Sequence, residues 1–308
     1  MISALGAFSK AAGAAGICCT LCERSPSAGK TEPTGVFSPE SMSIEAKTAG
    51  YSVVLQTRFL VTSDDVNISA VHLPSQSQTA FVVAHGFTGS WRYQRVRKVL
   101  RALNSNAGVV AFDFRGHGES SGKTTVGLLE INDLHSAVSW ARELGYQKVI
   151  TMGFSMGGAV AIRYGVGQGL VDSVISVSAP AFWFYRGTTA TRRVARMVGT
   201  FWGRGLTSLI LRTRIEVKPW YGEIPDPPAV AAREIPPAPF LIVHGEQDHY
   251  FPPEHALEIH HGAMQGWRAR GEVGAKPELW QVSGFAHAEL STPDELTEQI
   301  ARWALKAA

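Results

Sequence analysis

The segment that decides the fold is Val149-Ile-Thr-Met-Gly-Phe-Ser-Met-Gly-Gly158. It begins with an almost wholly apolar run, continues with a Gly-x-Ser-x-Gly pentapeptide and leads into a helical pattern. This order predicts a buried strand, a sharp turn and a helix, with Ser155 exposed at the turn. Gly153 and Gly157 flank the serine, and their missing side chains relieve the crowding that such a turn produces. A serine presented in this way is a good nucleophile when a neighbouring base accepts its proton.

Strand-like runs alternate with helical patterns on both sides of this turn. Short apolar runs that lack polar alternation predict strands covered on both faces, as in a parallel sheet. These runs are residues 80–84, 109–112, 149–152, 174–177 and 240–243. Apolar residues spaced by three and four predict helices over 93–103 and 131–141. The alternation predicts an α/β fold with a mostly parallel central sheet and helices on both faces.

Further signals lie near the two ends of this pattern. Residues 52–62 and 66–73 predict a pair of strands joined by the turn Ser63-Asp-Asp65. Near the carboxyl terminus, Thr292-Pro-Asp-Glu295 predicts a capping box with proline at the first helical position. The alternating pattern therefore extends over most of the chain.

Composition excludes several classes of protein. The chain has 308 residues, of which 45% are hydrophobic and 18% charged, which is typical of a globular protein and excludes disorder, collagen and coiled coil. A net charge of +3 is too small to indicate a nucleic-acid partner. The three cysteines, Cys18, Cys19 and Cys22, lack a fourth ligand at zinc-finger spacing, so no metal site is predicted.

Residues 1–48 are predicted to form a flexible leader and linker. The apolar run from Ala11 to Leu21 is shorter than the roughly 20 residues that a membrane-spanning helix needs. A clear signal-peptide cleavage site is also missing, so a cytoplasmic location is predicted. The alternative is export or membrane association through residues 1–22, where cysteines beside an apolar segment could carry a lipid.

Residues 181–235 interrupt the alternation and are predicted to form a cap inserted into a core of 49–180 and 236–308. Aromatic residues and prolines cluster there, and the segment contains seven arginines before position 215. The arginines are Arg186, Arg192, Arg193, Arg196, Arg204, Arg212 and Arg214. A helical cap of this kind could cover a pocket with its aromatic side chains. The alternative, which does not exclude the first, is that the aromatics attach two small helices to the core.

Three further motifs follow predicted strands, and a fourth follows Trp280–Val282. They are His85-Gly-Phe-Thr-Gly89, Asp113-Phe-Arg-Gly-His-Gly-Glu-Ser120, His244-Gly-Glu-Gln-Asp248 and Gly284-Phe-Ala-His287. With the serine turn, they make the chain resemble an α/β-hydrolase of the serine esterase and lipase type, from about Val53 to the carboxyl terminus. The branches it resembles include the monoacylglycerol-lipase-like and serine-aminopeptidase-like enzymes. The order serine, aspartate, histidine is the one expected of that fold.

The resemblance implies a role for each motif. Ser155 would attack an acyl carbonyl, His287 would accept its proton, and Asp248 would orient the imidazole. The backbone N–H groups of Phe87 and Met156 would bind the developing oxyanion. The reaction would need no cofactor and no metal.

Other residues compete for these roles. Glu246 is a rival acid, and Asp248 could instead cap a helix beginning near Glu254. The rival bases are His117, His249, His255, His260 and His261. The four histidines from position 249 to 261 lack metalloprotease spacing and are predicted on a solvated helix face. His85, His244, Arg115 and His117 are predicted to be structural.

The predicted function is hydrolysis of small-molecule carboxylic esters with apolar acyl groups through an acyl-enzyme intermediate. The same three residues also serve thioesterases, aminopeptidases, carbon–carbon bond hydrolases and perhydrolases, because pocket shape separates these activities. A non-catalytic binding member of the fold is a further alternative. Such members usually lose the nucleophile or the base, whereas this chain has both.

Overall fold

A nine-stranded sheet lies at the centre of the described part of the chain. The structure, a computed structural model, describes residues 42–48, 51–166, 171–218, 220 and 222–308. The strands are β1 (Met42–Thr48), β2 (Tyr51–Val61), β3 (Asn67–Leu73), β4 (Thr79–Ala84), β5 (Gly108–Phe112), β6 (Lys148–Phe154), β7 (Ser173–Val177), β8 (Phe240–Gly245) and β9 (Glu278–Val282). Their order across the sheet is β1-β2-β3-β5-β4-β6-β7-β8-β9.

Helices connect most of the strands. They are α1 (Gln94–Asn104), α2 (Glu130–Glu143), α3 (Met156–Gly165), α4 (Thr189–Gly199), α5 (Phe201–Ile210), α6 (Pro228–Ala231), α7 (Glu254–Ala269) and α8 (Asp294–Ala307). The helices predicted from residues 93–103 and 131–141 are therefore confirmed as α1 and α2.

The six strands from β5 to β9 across the sheet run parallel, and β1, β2 and β3 pair antiparallel at one edge. Alternate side chains of β4 enter two separate cores, as the two-residue period of a strand requires. Phe81 and Val83 pack in the core that contains α1 and α8. Val82 and Ala84 pack in the core that contains α2, α3 and α7. This two-sided burial explains why the sequence shows continuous apolar runs, and it confirms the predicted fold class.

The order of the strands places a crevice at one point of the sheet. β4 lies between β5, which follows it in the chain, and β6, which comes next. The strand order reverses there, and in sheets of this kind ligands bind outside the carboxyl ends of the strands at the reversal. The loop that begins with His85 and the turn at Ser155 leave the carboxyl ends of β4 and β6.

Two sequence expectations are corrected near the ends of the chain. The flexible leader predicted for residues 1–48 is wrong over Met42–Thr48, because these seven residues pair with Tyr51–Thr57 of β2. Residues 1–41, which include the three cysteines and the alternative targeting segment 1–22, lie outside the described residues. The predicted capping box is also wrong: Pro293 occupies the N-cap of α8, and the Thr292 hydroxyl donates to Ala288 O at 2.9 Å instead.

The connection between β7 and β8 contains the two helices expected of the insertion. α4 and α5 pack against each other, and the Thr188 hydroxyl caps α4 by accepting the Thr191 N–H at 3.1 Å. The division of the chain into domains at residues 181 and 235 stays a prediction. Among the described residues, no helix combines the length and the hydropathy needed to cross a bilayer.

A buried ion pair fixes the turn that follows β5. Arg115 is almost fully buried, and its guanidinium donates to Asp133 on α2 at 2.7 and 2.9 Å. The Arg115 N–H also donates to Asp133, at 2.8 Å. Asp64, on the turn between β2 and β3, accepts from the same guanidinium at 2.6 and 2.9 Å but is about one third exposed. Arg115 therefore joins three segments, as the prediction of a structural role requires.

We expect Asp133→Ala to destabilise the protein by about 3 kcal/mol or more, because it leaves a buried arginine charge without its buried partner. Asp64→Ala is the matched control on the same arginine, and its expected effect is below about 1 kcal/mol because water screens that pair. Urea unfolding followed by circular dichroism measures both values. Equal losses of unfolding free energy for the two variants would contradict the importance of burial.

Candidate active site

Three side chains from distant parts of the chain form a hydrogen-bonded row. Ser155 Oγ lies 3.0 Å from His287 Nε2, and His287 Nδ1 lies 2.7 Å from Asp248 Oδ2. Ser155 directly follows β6, whereas Asp248 and His287 lie in the loops after β8 and β9. Parallel strands end at the same edge of the sheet, so the three loops converge there. The structure thus brings together all three residues that the sequence proposed as nucleophile, acid and base.

The turn at Ser155 has a strained backbone. Its φ of 51° and ψ of −115° are rarely adopted by a residue other than glycine. The Ser155 N–H donates to Val177 O at 2.8 Å, which fixes the turn to the end of β7. A Cβ at Gly153 would collide with the backbone of Gly157, and a Cβ at Gly157 would collide with Ala84 O. Both glycines are therefore required by close backbone approach.

Both carboxylate oxygens of Asp248 accept hydrogen bonds. Oδ2 accepts from His287, and Oδ1 accepts the N–H groups of Tyr250 at 2.8 Å and Phe251 at 3.0 Å. Burial by itself raises the pKa of this carboxyl, but the contacts with His287 and the Phe251 N–H outweigh burial and hold the pKa below its ordinary value. Asp248 is consequently ionised at neutral pH.

The rival assignments for the acid do not agree with the geometry. Glu246 is exposed to solvent. Asp248 does not cap the following helix, because α7 begins at Glu254 with Pro253 in the N-cap position.

Two aromatic rings pack against the His287 imidazole. The Tyr250 ring lies 4.4 Å from it between centroids, at an angle of 32°, and the Phe251 ring lies 5.6 Å away. The sequence analysis did not identify these two residues. The signal that could have found them is the pair of aromatics two and three positions after Asp248, since the same short loop both donates to Asp248 and packs on His287.

In the described part of the chain, Phe87 has the one N–H group between Gly86 and Gly89 that donates to no protein atom. Gly86 N–H donates to Glu289 Oε1, and Gly89 N–H donates to Gly86 O. Thr88 N–H donates to His117 Nε2. Within the described part of the chain, the N–H groups of Phe87 and Met156 donate to no protein atom, and both residues line the same cavity as Ser155. Met156 is the first residue of α3, where backbone N–H groups have no partner inside the helix.

Three histidines have the structural contacts that the sequence analysis expected. His85 contacts Gly86 O through Nδ1 at 2.7 Å and accepts the Phe114 N–H on Nε2 at 3.0 Å. His117 contacts Arg115 O through Nδ1, and burial lowers its pKa to about 3. His244 contacts Phe251 O through Nε2 at 2.8 Å. These contacts join the loops around the site, and among the described contacts Ser155 Oγ is hydrogen-bonded to His287 and to none of these three rings.

The expectation of a solvated face for the histidines after position 248 is wrong for His255. Its side chain is buried, and Nδ1 accepts the Ala181 N–H at 2.9 Å. The rings of Tyr185 and Phe251 lie 4.3 and 5.2 Å away, and burial lowers the pKa of His255 to about 4. His255 lies on the side of α7 that faces the segment before α4. Its side chain therefore joins α7 to that segment. Among the described residues, no group of three or more metal-ligating side chains converges on a point.

A cavity of about 890 Å³ opens at Ser155 and His287. Its walls are mostly aromatic and aliphatic. They include side chains of α4 and of the segment that precedes it. Examples are Phe182, Trp183, Val194, Ala195 and Val198. The insertion between β7 and β8 therefore supplies one wall of the space above the serine.

A protein-family model described as the alpha/beta hydrolase family matches residues 81–296. The chain belongs to the alpha/beta hydrolase family. The matched segment includes Ser155, Asp248 and His287 as well as both helices α4 and α5. A search among curated proteins found no match.

Solved structures share the fold of this alpha/beta hydrolase. The esterase Pf2001 from Pyrococcus furiosus is 22% identical with a TM-score of 0.65, and the match covers 88% of this chain and 99% of that one. Est1E from Butyrivibrio proteoclasticus, solved with ferulic acid, is 18% identical with a TM-score of 0.55 over 80% of this chain and 98% of that one. XC6422 from Xanthomonas campestris, described as an a/b serine hydrolase without lid, is 17% identical with a TM-score of 0.52. That match covers 81% of this chain and 93% of that one.

Glu289 is a residue of the candidate site that the sequence analysis did not identify. Its side chain is buried, and Oε1 accepts the Gly86 N–H at 3.0 Å. A Cβ at Gly86 would lie 3.3 Å from Ser155 Cβ and 3.2 Å from Glu289 Oε1, so this contact occurs beside Ser155. Glu289 thus ties the loop that carries His287 to the loop that carries Phe87. The available signal was an acidic residue two positions after a candidate base.

We expect Glu289→Ala to slow the reaction of Ser155 with a fluorophosphonate probe about 10- to 100-fold, because a shift of about 1 Å in a positioned group has effects of this size. Glu289→Gln keeps an oxygen that accepts the Gly86 N–H, so it should recover most of the rate. The second-order labelling rate measures both variants, and their melting temperatures control for folding. A glutamine variant as slow as the alanine variant would show that the hydrogen bond is not what matters.

Proposed function

We propose that the protein is a serine hydrolase that cleaves carboxylic esters of apolar acyl groups through an acyl-enzyme intermediate. The observation that carries this proposal is the 3.0 Å contact between Ser155 Oγ and His287 Nε2 at the base of an apolar cavity. A serine hydroxyl becomes nucleophilic when a base within hydrogen-bonding distance accepts its proton. Membership of the alpha/beta hydrolase family agrees with this chemistry.

In the first half of the proposed reaction, Ser155 Oγ forms a bond with the acyl carbon while its proton moves to His287 Nε2. Asp248, ionised and bound to Nδ1, stabilises the resulting imidazolium. The carbonyl oxygen becomes an oxyanion and accepts the N–H groups of Phe87 and Met156, which have no other described acceptor. The bond to the alcohol oxygen then breaks, and His287 returns the proton to the departing alcohol.

In the second half, a water molecule repeats the attack on the acyl-enzyme. His287 accepts a proton from water as the new carbon–oxygen bond forms, and the same N–H groups bind the oxyanion. The bond between the acyl carbon and Ser155 Oγ then breaks. The proton returns from His287 to the serine, and the carboxylic acid leaves.

The preference for apolar acyl groups rests on the walls of the cavity. Aromatic and aliphatic side chains dominate the walls, and the volume of about 890 Å³ is near the upper end of the range for small-molecule sites. Burying a methylene group against such walls contributes about 0.8 kcal/mol. In this proposal α4 acts as a cap, and the acyl chain lies between α4 and the carboxyl ends of β4 and β6.

The assignment of the nucleophile predicts that wild-type protein reacts with a fluorophosphonate probe and that Ser155→Ala does not. Asp248→Asn should lower turnover of p-nitrophenyl butyrate about 10⁴-fold, since an amide favours the wrong tautomer of the histidine. Gel fluorescence after labelling and absorbance at the nitrophenolate band measure these results. A folded wild-type protein that stays unlabelled, or an alanine variant that labels, would disprove the mechanism.

The assignment of the acyl site predicts a change in chain-length preference for Ala195→Phe. Ala195 lies on α4 and lines the cavity, so a phenyl ring there removes space from an acyl chain. We expect kcat/KM for p-nitrophenyl octanoate to fall about tenfold or more, because a steric change of a few methylenes has effects of this order. The acetate ester is the internal control and should change less than twofold. Equal losses on both esters would place the acyl chain elsewhere.

A further inference from the structure

Helix α5 presents its apolar side to solvent. Trp202, Leu206, Leu209 and Ile210 follow a spacing of i, i+4, i+7 and i+8, which puts them on one face of a helix. All four are exposed, and Trp202 and Leu209 have 84% and 83% of their surface accessible. Thr207, on the opposite side, is buried at 1%. The helix is therefore oriented opposite to an ordinary surface helix, whose apolar face points to the core.

The chain around this face is strongly basic. Residues 186–214 contain seven arginines and no acidic residue. In the part of the chain that the structure describes, none of the seven forms a salt bridge. Arg193, Arg196 and Arg212 are exposed, the first two on α4 and the third just after α5. An exposed apolar face with unpaired positive charge beside it matches a partner that is apolar inside and anionic at its surface.

A second copy of this chain fits the face less well. A two-fold dimer through α5 would bring two identical arginine-rich segments together, and neither segment contains an acidic residue to pair with the other. Like charges held close together are unfavourable, and burial of the interface would increase the penalty. The arginines that would repel one another in such a dimer are attracted to a surface of anionic phospholipids.

We propose that α5 docks the protein peripherally on bilayers of anionic phospholipid, with Trp202 and Leu209 inserted among the acyl chains and the arginines at the phosphate groups. Trp and Leu on one face of a helix with nearby arginines is the pattern of helices that lie in the plane of a membrane interface. Because α5 packs on α4, and α4 lines the cavity at Ser155, docking through α5 brings this wall of the cavity close to the lipid surface. The proposal concerns binding and does not depend on ester hydrolysis.

The test is co-sedimentation of the full chain with sucrose-loaded vesicles of phosphatidylcholine alone and of phosphatidylcholine with 40% phosphatidylglycerol. We expect binding to the anionic vesicles and at least tenfold weaker partition onto the neutral ones, with binding reduced by salt. Trp202→Gln/Leu209→Gln should lower partition onto anionic vesicles at least tenfold, because it removes the two most exposed apolar side chains. Leu257→Gln/Val273→Gln, at exposed apolar positions elsewhere, is the matched control and should bind as wild type does.

Two further double variants test how much the arginine charge contributes to binding. Arg193→Gln/Arg196→Gln removes two charges from α4 and should lower partition onto anionic vesicles about tenfold or more. Arg97→Gln/Arg101→Gln removes the same charge from exposed positions on α1 and should leave partition within about twofold. Every one of these positions is exposed, so melting temperatures should stay close to that of the wild type.

Three results would overturn the proposal. The first is a wild-type protein that sediments with neither kind of vesicle. The second is unchanged partition of Trp202→Gln/Leu209→Gln, which would place membrane binding in another segment. The third is a lipid-free dimer, seen by analytical ultracentrifugation, that the same double substitution dissociates, since a second copy would then cover α5. Labelling of Ser155 by the fluorophosphonate probe is followed in parallel, so failure of docking and failure of the proposed mechanism are distinguished.

Discussion

The close approach of backbone segments at the end of β6 determines where the reactive hydroxyl lies. Ser155 has a strained backbone conformation, which costs on the order of 1–3 kcal/mol in an unconstrained chain. The hydrogen bond to Val177 O and the packing of Gly157 against Ala84 O hold this conformation in place. A side chain at either flanking glycine would force the strand and helix apart. The position of Ser155 therefore depends on contacts among β4, β6 and β7 more than on its own side chain.

A second close approach brings Asp248 and His287 to Ser155. Gly245, at the end of β8, lies so near the backbone of Phe285 that a Cβ would collide with it. Gln247 N–H donates to Phe285 O at 3.1 Å, which joins the loop of Asp248 to the loop of His287. The Ser178 hydroxyl accepts the Ala288 N–H from the other side, at 3.1 Å. The His287 loop is thus held by groups just after β7 and β8, and a rigid scaffold of this kind keeps the geometry of a site within narrow limits.

The segment between β7 and β8 connects this scaffold to the surface. The Thr188 hydroxyl, which caps α4, also donates to Tyr250 O, so the start of α4 is tied to the loop that carries Asp248. α4 turns apolar residues toward the cavity, whereas α5 turns them toward solvent. Phe182, Trp183, Phe184 and Tyr185 precede α4 and line the cavity, whereas Phe201 and Trp202 begin α5 and are exposed. One set of apolar side chains forms the cavity wall, and the other forms the surface that we propose for lipid docking.

Local pattern was enough to predict the fold and the serine turn, because continuous apolar runs reflect two-sided burial and glycines reflect close backbone contact, whereas the roles of Asp248 and His287 were implied by the resemblance to α/β-hydrolases. Only the tertiary structure decided which of the candidate histidines and acids lie near Ser155. Glu246 and Asp248 lie two residues apart, yet only Asp248 faces His287. His255 was expected on a solvated face but is buried beneath Tyr185. Glu289 acts on Gly86, which is 203 positions away in the chain. Sequence periodicity reports which face of an element is buried, whereas contacts between loops depend on how separate strands end beside one another.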